Sequence, residues 1–174
     1  TLDSLLYEAI NITSFTSNVE PVQEIGTNIN SITLTWKLSQ PATEQFINDV
    51  PVTGSSFTFD TPFNSNKSFT LKVNDGTTIK SKTIDIKFMN NIYYGVSSST
   101  TYDSNFIESL TKELRQATEM NFRVNAGKDE YICFAYPSHY GEAVFSVGGF
   151  EGGFREVAKF YYTNESGYNE QYTV

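Results

Sequence analysis

Two residues of this chain have side chains suited to nucleophilic or general-base catalysis: its single cysteine, Cys133, and its single histidine, His139. Together they would make a thiolate–imidazole couple. Cys133, however, lies in the apolar run Tyr131–Tyr136, where a free cysteine usually packs as a small hydrophobic residue. A reactive thiolate needs a polar, electropositive setting instead. The sequence therefore predicts that the protein is not an enzyme and that it has no catalytic residues.

Metal and cofactor sites are not expected either. One Cys and one His exclude a Cys-rich site and a site with two His ligands. Asp129, Glu130 and Glu151 flank Gly-rich turns and could bind a cation or a sugar, but the alternating oxygen ligands of an EF-hand are missing. These carboxylates are better explained as solvated loop residues. We expect no metal and no cofactor.

The most unusual local feature is a pair of Gly-Gly-Phe units within Gly148–Phe154. No Lys-Ser/Thr follows and there is no strand–helix context, so the segment is not a phosphate-binding loop. Glycine allows sharp turns and close approach of the backbone to a neighbour. Gly149, Phe150, Gly153 and Phe154 are therefore structural or interface candidates, with the two Phe side chains either in the core or in an exposed contact patch. Packing in the core or between subunits is favoured over ligand binding.

The chain has 11 Tyr residues, which suit both sugar stacking and protein interfaces. Most of them also lie in or beside predicted strands, where Tyr is simply a good strand former. Tyr93 and Tyr94 are the structural or interface candidates of this group. Whether they contact a partner depends on their exposure, which the sequence leaves open.

Composition and charge exclude several classes of protein. The net charge is −8 and the 12 Lys and Arg residues are scattered, which argues against nucleic acid and anionic membrane surfaces as partners. No apolar run approaches the about 20 residues of a membrane span. No signal peptide is evident. Because the chain begins at Thr1 and ends on a strand-like Gln-Tyr-Thr-Val, we expect a fragment or processed piece of a longer polypeptide.

The first half of the 174-residue chain reads as a β-sandwich. Apolar and polar residues alternate without a break through Ile32–Leu38, which is typical of a half-buried strand. Trp36, the only Trp, lies on the inward face and is expected to anchor the core. The strand resembles the second strand of an immunoglobulin-like or fibronectin-III-like sandwich, which implies such a sandwich in a domain covering residues 1–90.

A β-hairpin is predicted later in this domain. Phe69–Val73 alternates, Asp75 and Gly76 lie in the turn, and Thr78–Phe88 returns. The apolar positions of the return strand change from odd to even, which predicts a one-residue bulge near Lys80–Thr83. Shorter strands are predicted at Ala9–Phe15, Gln45–Asn48 and Phe57–Phe59.

The second half, residues 91–174, is predicted to be a β-rich domain with one helix and a truncated last strand. An apolar stripe predicts that helix over about Asn105–Ala117, capped by Asp103, Ser104 or Asn105. Asn105 and Glu108 have the spacing of a capping box. Strands are predicted at Ile92–Val96, Asn121–Val124, Glu130–Tyr136, Ala143–Val147, Val157–Thr163 and Glu170–Val174.

The order of several motifs resembles tailed-bacteriophage virion proteins that carry an Ig-like module followed by a Gly- and aromatic-rich β domain. These motifs are Ile32–Ser39, Phe69–Gly76, Ile92–Val96, Ala135–Pro137 and Phe145–Phe150. The resemblance implies a non-enzymatic virion protein of a tail, baseplate, fibre or head appendage, with other virion proteins as partners and a homo-oligomeric state. It implies no catalytic residues. Two alternatives stay open: a tip domain that binds a host receptor or surface glycan, and a bacterial surface adhesin module.

Overall fold

The structure is a computed structural model that describes residues 7–115, 117 and 119–174. Strands account for 48% of the described residues and helix for 5%, which confirms the predicted mainly β class. The chain forms two compact units: residues up to 23 together with 28–88, and residues 24–27 together with 89–174. The predicted domain boundary after residue 90 lies close to the division at residue 88. The assignment of residues 24–27 to the second unit has no signal in the sequence.

The first unit is a sandwich of two sheets. A three-stranded sheet has the order β1-β3-β6 and a five-stranded sheet has the order β2-β8-β7-β4-β5. The Trp-containing strand β3 is the central strand of the three-stranded sheet. The strands are β1 (Ile12–Ser17), β2 (Val22–Glu24), β3 (Ile32–Leu38), β4 (Glu44–Ile47), β5 (Val50–Pro51), β6 (Ser56–Phe59), β7 (Lys67–Asn74) and β8 (Ile79–Met89).

The core of this unit follows the alternation of β3 and β7. Trp36 is 1% exposed and lies mid-strand on the inward face of β3, as predicted. Its indole Nε1 donates to Gln45 Oε1 at 2.6 Å, so the polar atom of this buried ring is satisfied by a residue of β4, in the other sheet. The other side chains that this core buries almost completely include Ile32, Leu34, Ile47, Phe69, Leu71, Val73 and Ile86.

The predicted β7–β8 hairpin is confirmed, but the predicted bulge near Lys80–Thr83 is wrong. The two strands pair in unbroken register from Lys67 opposite Ile86 to Asn74 opposite Ile79. The side chain of Ile79 is 58% exposed on the outer face of the sheet. Ile79 is therefore an apolar residue at a solvent-facing position, and the change from odd to even apolar positions does not mark a bulge. The register shift of this unit lies instead in β1, between Ile12 and Ser14, opposite β3.

The second unit contains a five-stranded antiparallel sheet with the order β10-β9-β11-β15-β14 and a separate two-stranded hairpin, β12-β13. The predicted strand at Asn121–Val124 is wrong, and the one at Ala143–Val147 shrinks to β12. The elements are β9 (Asn91–Ser97), α1 (Ser104–Ser109), β10 (Thr111–Leu114), β11 (Tyr131–Pro137), β12 (Ser146–Val147), β13 (Phe150–Glu151), β14 (Lys159–Thr163) and β15 (Asn169–Thr173).

The predicted helix over Asn105–Ala117 is too long. Asp103 caps α1 by accepting a hydrogen bond from the amide of Phe106 at 3.0 Å, so the cap is Asp103 and not an Asn105 capping box. The chain leaves the helix after Ser109, and β10 pairs with β9. A further helical turn would also satisfy the backbone of these residues, so the pairing with β9 is a tertiary contact that overrides the local helical pattern. Gln116, within the predicted helix, lies outside the described residues. No helix of the described part is both long and apolar enough to cross a bilayer.

Candidate interaction surfaces of the second unit

One face of the five-stranded sheet of the second unit is fully covered and forms the core of that unit. Tyr93 on β9, Tyr162 on β14 and Tyr172 on β15 point to this face and are buried, and α1 packs against them through Phe106 and Ile107. The three Tyr rings are all 5.7 Å apart between centroids and meet edge to face, an arrangement that adds to the stabilisation from area alone. Tyr93, an interface candidate in the sequence, is 2% exposed and is a core residue.

The hydroxyl groups of this cluster differ in their partners. Tyr172 donates from its hydroxyl to the carbonyl oxygen of Asn91 at 2.8 Å. Tyr93 Oη is buried and has no hydrogen-bond partner among the described residues. Burial raises the pKa of both Tyr93 and Tyr172 far above the usual value, so both rings stay neutral at physiological pH. Both rings contribute to the core by packing, and Tyr172 contributes its hydrogen bond as well.

Tyr172→Phe is expected to destabilise the second unit by about 1–3 kcal/mol. The variant removes a buried hydrogen bond and leaves one lone pair of the Asn91 carbonyl oxygen without a donor. Tyr93→Phe is the matched variant, since it removes the same hydroxyl from the same cluster without breaking a hydrogen bond. We expect it to be neutral or slightly stabilising. Urea unfolding of both variants checks the contrast; equal losses would contradict it.

The opposite face of the sheet is aromatic and only partly covered. Tyr94 on β9 and Phe134 on β11 point to this face, which Phe122, Phe145 and Phe154 cover from the connecting segments. Ring centroids are 4.4 Å apart for Tyr94–Phe122 and 4.6 Å apart for both Phe134–Phe145 and Phe145–Phe154. All five rings keep intermediate exposure. Tyr94 and Phe154, both predicted as interface candidates, therefore lie on a partly exposed apolar surface.

A hairpin that we call the glycine hairpin, residues 146–151, carries the first Gly-Gly-Phe unit. Its strands β12 and β13 pair Val147 with Phe150 across the two-residue turn Gly148-Gly149. Both glycines have positive φ, +60° and +84°, which a two-residue hairpin turn requires and glycine tolerates. The side chains of Val147 and Phe150 are 55% and 81% exposed. For Phe150 the contact-patch interpretation is thus supported and the core interpretation is wrong.

Beside this hairpin lies a cleft of about 920 Å³, which we call the aromatic cleft. The segments that enter and leave the glycine hairpin form part of its wall, through Phe145 on one side and Gly153 and Phe154 on the other. Gly153 has a φ of +80° and open space where a Cβ would be. The remaining walls include rings and charged groups: Tyr102, Tyr131, Phe134, Tyr136, Glu142, Arg155, Glu156 and Lys159.

The residues considered for catalysis have other partners. Cys133 Sγ donates to the Tyr131 carbonyl oxygen at 3.5 Å, and burial raises the pKa of the thiol, which disfavours a thiolate. His139 Nδ1 lies 3.2 Å from Glu170 Oε2. Glu130 Oε2 accepts from the amide of Gly127 at 2.7 Å and so belongs to its own loop. Within the described residues no three His, Cys, Asp or Glu side chains are grouped to hold a metal ion.

Asp75, predicted as a hairpin-turn residue, fastens the β7–β8 loop to other segments of the first unit. The loop turns at Gly76, whose φ is +94°. Hydrogen bonds to the carboxylate, led by that from the Thr78 amide, hold the pKa of Asp75 well below its usual range. Oδ1 accepts from the amides of Thr77 (2.9 Å) and Thr78 (2.7 Å), and Oδ2 accepts from Tyr7 Oη (2.8 Å), Ile10 N (3.0 Å) and Gln40 Nε2 (3.2 Å).

Asp75→Asn is expected to destabilise the first unit at neutral pH, because the amide group would place a donor opposite the Ile10 amide and the Gln40 side chain. The folded-state pKa is depressed, so the stabilisation is present above the unfolded-state pKa of about 3.9 and is lost as pH falls toward the folded value. The difference between the urea unfolding midpoints of wild type and variant should therefore shrink as pH falls from about 4 to about 2. Asp60→Asn, an exposed carboxylate, is the control; a difference that stays the same from about pH 7 to about pH 2 would contradict the prediction.

Comparisons with known proteins do not place the chain: no protein-family model, curated protein or solved structure matches it. The sequence interpretation missed Val147, Phe122 and Phe145, which complete the aromatic surfaces. The apolar residues that flank Gly148 and Gly149 were the available signal for the first of these.

Proposed function

We propose that this protein is a non-enzymatic structural component of a tailed-bacteriophage particle, an assembly or attachment module of a tail or head appendage. The observation that carries the proposal is the glycine hairpin, which presents Phe150 and Val147 to solvent next to a partly covered aromatic face. Contiguous exposed apolar surface of this kind is typical of contacts with other proteins. The partners of such a module are other virion proteins and further copies of the same chain.

The first unit and the net charge agree with this role. A sandwich with short connections is a stiff spacer, and its exposed edge strands are protected when copies or partners cover them. The net charge of −8 keeps an assembly of many copies from adhering to nucleic acid. Neither property is specific to virions, so the location of the protein has to be tested directly.

Immunogold labelling of particles from the source culture tests the proposal. An antibody against this chain should label a fixed position on phage particles, at the head or along the tail. Label on bacterial cells, with the particles bare, would contradict it and favour the surface adhesin. Pre-immune serum and particles of an unrelated phage are the controls.

The aromatic cleft favours a second candidate, a tip domain that binds a host-surface glycan. Its walls combine Tyr102, Tyr131 and Tyr136 with the carboxylates of Glu142 and Glu156. Rings and carboxylates of this kind suit the apolar faces and hydroxyl groups of a sugar. Binding on a glycan array that is lost in Tyr136→Ala would support this candidate, and an array without hits would remove it.

A further inference from the structure

We propose that the glycine hairpin of one copy inserts into the aromatic cleft of a second copy. The inference rests on the assembly role proposed above and names the contact that carries it. It does not depend on the protein being part of a phage, because both surfaces belong to this chain.

The inserted group is the apolar side of the hairpin tip. Val147 and Phe150 are cross-strand partners, so their side chains project from the same side of the hairpin. Val144, just before the hairpin, is 74% exposed as well. Because glycine provides both turn residues, the tip is narrow and its backbone is free of side chains at the end. A narrow tip of this kind can enter the aromatic cleft more readily than a loop that has side chains at its end.

The receiving surface matches in size and chemistry. A cleft of about 920 Å³ lies at the upper end of the range of about 300–1,000 Å³ for protein pockets that take whole ligands, so it has room for the tip. Phe134, Phe145 and Phe154 already meet one another in its wall at tilted or edge angles. A further Phe ring can join them in the same geometry.

One charge pair can form between the two surfaces. Glu151 follows Phe150 at the hairpin tip and is exposed, and the cleft wall carries Arg155 and Lys159 as well as Glu142 and Glu156. Lys159 is already 2.9 Å from Glu156, which leaves Arg155 as the cation best placed by sequence and exposure to meet Glu151 of another copy. The hairpin thus brings an apolar group and one carboxylate to a cleft that offers rings and a cation.

A second copy is the occupant that these observations favour over the same copy. Phe150 is exposed within its own chain, so it does not fill its own cleft. The tip and the cleft are different surfaces, so two copies can exchange tips in a two-fold dimer, or each copy can insert its tip into the next one head to tail. Repeated head-to-tail contacts give rings or filaments, which are the forms of a multi-copy appendage.

Disulfide trapping tests the contact with one thiol on each surface. Cys133, the single Cys, packs against the Tyr cluster on the other face of β11, so it is replaced by Ser in every variant. Val147→Cys places a thiol on the tip while it keeps Phe150, and Ala143→Cys places one at the exposed cleft wall. Oxidation of a mixture of these two variants at micromolar concentration should give covalent heterodimers. Tyr161→Cys, at an exposed position on β14, is the matched control for the cleft thiol. A mixture without the heterodimer, or equal cross-linking of Val147→Cys to Tyr161→Cys, would overturn the proposal.

Sedimentation velocity provides the second measurement. The wild-type mass should rise with concentration, and Phe150→Ser should weaken association by roughly tenfold or more, as loss of a central aromatic anchor does. Tyr161→Ser should associate like wild type. Ala143→Trp, which places a ring at the exposed cleft wall, should also block association. A wild-type chain that stays monomeric, or one that Phe150→Ser leaves unchanged, would overturn the proposal.

Mixing the two blocked variants separates insertion from general adhesion. Phe150→Ser keeps an intact cleft and Ala143→Trp keeps an intact hairpin, so a mixture should form heterodimers although neither variant associates alone. A mixture without association would overturn the insertion of the tip into the cleft, and association prevented by an added glycan would assign the cleft to that ligand. These results are independent of particle labelling: a cell-surface location would contradict the phage role and leave the contact intact.

Discussion

Replacing Trp36 with alanine is expected to lower the free energy of unfolding of the first unit by about 3–5 kcal/mol, the range measured for buried Phe and Trp side chains. Trp36 is almost fully buried at the centre of β3, and its indole reaches Gln45 in the other sheet. Its removal leaves a cavity and also deprives Gln45 Oε1 of its donor. Because whole domains are stable by about 5–15 kcal/mol, this variant should be close to unfolding at room temperature.

Urea unfolding followed by far-ultraviolet circular dichroism measures the effect without relying on the fluorescence of the deleted ring. Lys37→Ala, at the next position of the same strand, is the matched control because its side chain is exposed. It should change the free energy of unfolding by no more than about 0.5 kcal/mol. If Trp36→Ala unfolded at the same urea concentration as Lys37→Ala, Trp36 would not anchor this core.

The Trp36 strand and the β7–β8 hairpin could be predicted because their signals are local. In both, one face of a strand is buried and the other is solvated, so burial alternates in step with the sequence. The same rule failed for Ile79, which was assumed to point inward. Its side chain is exposed, and the unbroken register of the hairpin shows that no residue was inserted. Alternation predicts a strand better than it predicts irregularities within one.

The helix was overextended for a related reason. Phe106, Ile107, Leu110 and Leu114 have helical spacing, and the first three do pack against the Tyr cluster. Leu114, however, lies in β10 opposite Asn91 of β9. That pairing joins distant parts of the sequence, and a stripe of apolar residues does not reveal it. Helical periodicity identified the face that is buried but not the residue at which the helix ends.

The candidate interface shows the same limit at single residues. Phe150 and Phe154 follow identical Gly-Gly pairs, yet the first is exposed and the second packs against Phe134 and Phe145. Tyr93 and Tyr94 are neighbours, yet they lie on opposite faces of the sheet. Only Tyr94 has the exposure that an interface needs. The residue types were therefore predictable from the sequence, whereas their exposure depends on how distant segments meet.

Gly26→Ala is expected to destabilise the second unit by about 2–5 kcal/mol. Gly26 has a φ of +94°, a conformation that costs a residue with a Cβ about 1–2 kcal/mol. An added Cβ would also lie 2.9 Å from Tyr168 Cβ and 3.0 Å from Ser166 Cβ, which are stem atoms that cannot swing away. Displacing such packed atoms typically costs about 1–3 kcal/mol more.

The hydrogen bonds around Gly26 limit the relief that the backbone can provide. The Ile25 amide donates to the Met89 carbonyl at 2.9 Å, and Asn164 Nδ2 donates to the Ile25 carbonyl at 2.8 Å. Moving residue 26 away from Tyr168 would strain or break one of these bonds. The substitution should therefore destabilise the β14–β15 hairpin, because the connection between these strands contains Ser166 and Tyr168.

Gly141→Ala separates the two contributions to this effect. Gly141 has a φ of +82° in the same unit, but no atom lies within 4 Å of its Cβ position, so alanine there bears the backbone cost alone. Urea unfolding gives the difference between the two variants, and amide exchange in β14 and β15 shows where it acts. Faster exchange in Gly26→Ala only would show that residues 24–27 are packed against the β14–β15 connection. Equal losses of unfolding free energy in the two variants would mean that residues 24–27 move away from the added Cβ without cost. These residues would then contribute little to the stability of the second unit.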